Sequence, residues 1–69
     1  MDVKNIPIEK LRKGDFFTIK PRENPKPNQV YVFEGYDRYL KAYTATKFDN
    51  ISVGKSFKKG TQVFTDFIF

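Results

Sequence analysis

The chain has 69 residues, thirteen Lys and Arg against eight Asp and Glu for a net charge of +5, 17% aromatic content, and neither cysteine nor histidine. That length admits one small domain over residues 1–69, and folding at this size hides only about 60% of the unfolded chain's surface. The missing residue types exclude disulfides, the usual zinc ligands and Ser-His-Asp or Cys-His catalysis, so eight Phe and four Tyr must supply the packing.

In chain order, "NIPIEKLRKGD" opens the fold. Ile8 and Leu11 stand three apart, Pro7 suits a first helical position and Gly14 suits a stop, which predicts one short N-terminal helical turn plugging apolar side chains against a sheet. "DFFTIK" reads as a strand, with Phe17 and Ile19 on one face and Phe16 and Thr18 on the other. "PRENPKPN", residues 21–28, holds three prolines and reads as an exposed, stiff loop.

"QVYVFEGY" is the second predicted strand, with Val30 and Val32 facing one way and Tyr31 and Phe33 the other. "DRYL" turns the chain, and "KAYTATKF" returns as a third strand rich in Tyr and Thr. "DNISVGKS" predicts a turn plus a short strand around Ile51 and Val53, "KKG" a tight turn, and "TQVFTDFIF" the last strand. Four or five short strands separated by turns predict an all-β fold, a small antiparallel barrel or strongly curved sheet. The expected core is Phe17, Ile19, Val30, Val32, Phe48, Phe67 and Phe69; Phe16, Tyr31, Phe33 and Phe64 are expected on the outer side.

"KLRKGDFFTIKP", "VYVFEGYDR", "KFDN" and "VFTDFIF" together resemble a family of short uncharacterised all-β proteins from gut bacteria. The resemblance runs over nearly the whole chain, implies an all-β fold, and carries no activity with it. "LRKGDFF" is similar to the approach to the first strand of SH3-like barrels, a fold that hosts protein, RNA and DNA binders alike.

The eight carboxylates are scattered singly along the chain, and no G-x-G-x-x-G or G-x-x-x-x-G-K-[ST] pattern is present. We therefore expect a non-enzymatic binding module without cofactor or metal. Rings beside cations on one hairpin make Tyr31, Phe33, Arg38, Tyr39, Lys41, Tyr43 and Lys47 the candidate binding surface. Such a surface suits an unknown protein partner or a homodimer, with "VFTDFIF" as a free edge pairing across a two-fold axis. Stacking of single-stranded DNA or RNA on the same rings is the alternative. Arg12, Lys13, Lys58 and Lys59 flank turns; they read first as solvated side chains at loop ends, and would form a basic rim if the two turns lie at the same end. No apolar run is long enough to span a bilayer and "MDVKNIPIEK" has no apolar signal core, so a cytoplasmic protein is expected.

Overall fold

Short alternating runs, punctuated by glycine, proline and Asx turns, fold into strands and little else. The computed structural model describes residues 3–67, and among these are six strands: β1 (Lys4–Pro7), β2 (Phe16–Phe17), β3 (Tyr31–Asp37), β4 (Ala42–Lys47), β5 (Gly54–Phe57) and β6 (Gln62–Thr65). Two single 3-10 turns, Ile8–Lys10 and Pro27–Gln29, join them. The fold is all-β, as expected. The helical turn starts one residue later than the sequence implies, with Pro7 as its cap, and β1 ahead of it is a strand that no alternation announced.

All pairings are antiparallel. β2-β3-β4-β5 form one sheet in that order, and β1 pairs with β6 in a second. An isolated bridge between Thr18 and Phe64 joins the two, with hydrogen bonds of 2.9 and 3.0 Å in the two directions. Thr18 is buried there, and its hydroxyl donates to the Lys20 carbonyl at 2.6 Å. The strands thus run β1-β6-β2-β3-β4-β5, leaving β1 and β5 as edges, and no closed barrel forms among the described residues.

That run is coiled. β2 and β5 are three strand positions apart, a separation of about 14 Å on a flat sheet. Yet the Phe17 ring (β2) meets the Phe57 ring (β5) edge-on at 5.7 Å and stacks on Tyr31 at 5.7 Å. The concave side so formed holds the core: Ile8, Leu11, Phe17, Tyr31, Phe33, Ala45 and Val63, flanked by Ile6, Tyr43 and Phe57. Each large side chain removed from water there contributes about 1.5–3 kcal/mol.

The core corrects the expected faces. Tyr31 and Phe33 are only 7% and 4% exposed, so they are core residues and not an outer platform. Val32 is half-buried on the opposite face, while Ile19 and Phe48 are exposed. Phe17 and Val30 are buried as expected, Phe16 is exposed as expected, and Phe64 and Phe67 are half-buried; Phe69 lies outside the described residues. Rings offer more apolar area than valine, so Tyr31 and Phe33 fill the concave side opposite half-buried Val32, while Val30, ahead of β3, is buried as well.

β6 corrects a second expectation. It is not an edge, because β1 pairs along one side of it and Thr18 bonds Phe64 on the other. Self-pairing through this strand is therefore blocked over its described length. The "PRENPKPN" loop is mostly exposed, as expected; Pro25 is its one buried residue, and Pro27 opens a 3-10 turn.

Candidate interaction surface

The β3–β4 hairpin changes character at one point. Phe33 pairs with Ala45 and Gly35 with Thr44, so Glu34 is an extra residue, a β-bulge. Gly35 adopts φ 127°, a value open to glycine and strained for any side chain. The bulge resets the alternation, and Tyr36 pairs with Tyr43 on the same side as Phe33 and Ala45. Three rings then follow one another toward the tip: Phe33 stacks on Tyr43 at 6.1 Å, and Tyr43 meets Tyr36 edge-on at 4.9 Å.

The tip is held by one carboxylate. Asp37 Oδ1 accepts hydrogen bonds from the backbone N–H groups of Tyr39 (2.8 Å) and Leu40 (3.1 Å), an Asx-type turn. Lys41 closes it in the left-handed region at φ 54°. The result displays Tyr39, 95% exposed, beside exposed Leu40, Arg38 and Lys41. Leu40 also leans over the outer face of β4 and β5, where it lines a groove of about 320 Å³ with Glu34, Thr44, Thr46 and Ser56.

Of the seven residues singled out from the sequence, the structure therefore brings Arg38, Tyr39 and Lys41 together at the tip. Tyr43 is half-buried as the support beneath them. Tyr31 and Phe33 lie in the core, and Lys47, register partner of Tyr31, lies about 13 Å along the strand from Tyr43. Leu40 was missed because its type, in a loop between tyrosines, reads as filler. Of the residues expected to form a basic rim, Lys59 stands near Glu9, whose carboxylate oxygen accepts the Gly60 N–H at 2.8 Å. Arg12 belongs to a separate turn, where its N–H donates to Asp15 Oδ2 at 2.8 Å and Gly14 N–H reaches the Phe33 carbonyl.

On the outer face Phe16 and Phe48 meet edge-on at 5.4 Å, a ring pair made by β2 and the residue that follows β4. Among the described residues no group of three or more acidic, His or Cys side chains could hold a metal ion, and no helix is long and apolar enough to cross a membrane. No family model, curated protein or solved structure matches this chain.

Proposed function

We propose that this chain is a non-enzymatic protein-interaction module, a coiled SH3-like sheet that engages a protein partner or a second copy of itself through the 37–41 hairpin tip. The observation that carries the reading is Tyr39, 95% exposed on a turn whose backbone is fixed by Asp37. A large ring with a polar end is the residue type that most often anchors protein interfaces, together with Arg. A turn already locked by side-chain hydrogen bonds loses little further freedom on binding. The SH3-like part of the reading is supported by the Thr18–Phe64 bridge, which makes one coiled run of two sheets, and by the 3-10 turn beside the core.

The nucleic-acid alternative draws less support. Of its stacking platform Tyr31 and Phe33 are buried and Tyr43 is half-buried, which leaves Tyr39 fully open at the tip. Stacking by several adjacent rings is what gives such surfaces their affinity.

A photo-crosslinking amino acid placed at position 39 tests the proposal, with position 51 as control because Ile51 is also strongly exposed but sits on another turn. Discrete protein adducts at 39 and none at 51 are expected, and an adduct of twice the chain mass identifies self-association. Equal labelling at both positions, or nucleic acid as the sole product at 39, overturns it.

A further inference from the structure

Away from the hairpin tip, the free edge of the sheet adjoins a cleft of opposite character to the apolar core. Lys47 N–H bonds the Val53 carbonyl at 3.0 Å, and antiparallel pairing alternates bonded and non-bonded pairs. In β5 the peptide groups of Lys55 and Phe57 therefore face β4, and those of Gly54 and Ser56 point outward from the edge. Lys55 is the register partner of buried Ala45, so its side chain leaves on the concave side. There it lines a cleft of about 280 Å³ together with Lys20, Arg22, Asn28 and Gln29 from the loop after β2. Among the described residues no carboxylate lines that cleft; Glu23, the loop's own acid, is not one of its lining residues. From Asn50 to Thr65 the chain holds Lys55, Lys58 and Lys59 and neither Asp nor Glu.

We propose that the β5 edge and this cleft bind an extended acidic segment of a partner protein, added antiparallel to β5 as a further strand. Backbone bonds to Gly54 and Ser56 supply the register, and alternate carboxylates enter the cleft between Lys55, Lys20 and Arg22. The other side chains of the added strand fall on the face of the outer groove, beside Leu40, Thr44 and Ser56. Glu34 and Lys55 both line that groove among uncharged neighbours, so uncharged side chains suit those positions. The occupant is thus an alternating acidic and uncharged strand. A second copy of β5 is disfavoured, because antiparallel self-pairing brings the lysines of two copies together. Nucleic acid is disfavoured too: it has no backbone amides to continue the ladder, and Tyr31, the ring bordering the cleft, is 7% exposed. The site is independent of the Tyr39 tip.

The test is a titration of the whole chain with a fluorescein-labelled eight-residue peptide alternating Glu and Val, followed by anisotropy and by amide shifts. Binding that weakens with added salt is expected, with shifts at residues 20–22 and 54–57. The double variant Lys20→Glu, Lys55→Glu is expected to weaken it at least tenfold with an unchanged circular dichroism spectrum. Both positions are exposed, so folding is expected to survive the change. Methylating the valine amides, which face Gly54 and Ser56 in this register, abolishes binding, whereas methylating the glutamate amides preserves it. Tyr39→Ala leaves it unchanged. The proposal is overturned by absence of shifts at millimolar peptide, by equal effects of the two methylations, by loss of binding in Tyr39→Ala, or by an oligonucleotide that occupies the cleft more tightly than the peptide.

Discussion

Strand β3 carries rings on both sides of its bulge, and their fates differ. Before it, Tyr31 and Phe33 are buried under Phe17 and the apolar side chains of the concave side; after it, Tyr36 is half-exposed although it packs on Tyr43. The residues are of one chemical class, on one strand, facing one side. What separates them is whether a second layer lies opposite, and the bulge at Glu34 marks where the hairpin leaves that layer behind. A ring is structural or displayed by its position along the hairpin, not by its identity.

Substitutions on the two sides measure that difference. Phe17→Ala and Phe33→Ala each remove a buried ring, and a cost of about 3–5 kcal/mol is expected in urea unfolding. Total stabilities of small domains lie at about 5–15 kcal/mol, so either variant leaves a marginal fold. Tyr39→Ala is expected to change stability by less than about 0.5 kcal/mol, as exposed positions do. A Tyr39 variant as damaging as Phe33→Ala would erase the distinction between base and tip.

The bulge itself is the next lever. A Cβ at Gly35 meets no atom within 4 Å, so any cost of Gly35→Ala arises from φ 127° and not from crowding. About 1–3 kcal/mol is expected for the L-residue. The chain is short enough for total synthesis, and D-alanine at 35, at ease with positive φ, is expected to restore most of the loss. Equal destabilisation by both enantiomers would mean that bulge geometry does not limit the hairpin.

At the tip the effect is smaller. Asp37→Ala removes the acceptor for two backbone N–H groups and is expected to cost about 1 kcal/mol, in line with capping side chains elsewhere. Hydrogen exchange at Tyr39 and Leu40 should accelerate while exchange at the Phe33 amide, bonded to the Asp15 carbonyl at 2.8 Å, stays slow. Acceleration at both would show that base and tip open as one unit.

The turns and strand-forming runs were legible because Gly14, Gly60, the prolines and Asp37-Arg38 act locally. The choice of face was not. Alternation puts Tyr31 with Phe33 and Val30 with Val32, yet it cannot say which pair lies inward, since both are apolar and only the interior's volume decides. The bulge was written in "FEGY", a glycine within a strand, but its register depends on Thr44 and Ala45 across the hairpin. β6 reads as an edge in the sequence because its neighbours, β1 and Thr18, are far away along the chain. The cation-lined cleft was invisible for the same reason: Lys20 and Arg22 meet Lys55 only after β3 and β4 have carried the chain across the sheet.

The smallest expected effect concerns another turn, where a side chain again fixes the backbone. Glu9, beside the 3-10 turn, accepts the Gly60 N–H at 2.8 Å and so ties the 58–60 turn to the start of the chain. That bond lowers its pKa below the ordinary 4.5, helped by its own backbone N–H, opposed by desolvation, and helped to a lesser degree by nearby Lys59 and Lys10. A carboxyl whose folded pKa is depressed stabilises the fold above its unfolded pKa, and that contribution fades as pH falls through the folded value. Glu9→Gln is therefore expected to be less stable than the parent at neutral pH, with the gap narrowing as pH drops below about 4.5. Because Glu9 is only half-buried and solvent screens its carboxylate, the gap is small, and the Gly60 amide shift is a more sensitive reporter than the unfolding midpoint. That amide should titrate at acid pH in the parent and stay flat in Glu9→Gln. A Gly60 amide indifferent to pH in the parent would mean that Asp37 alone, of the two carboxylates, holds its turn in solution.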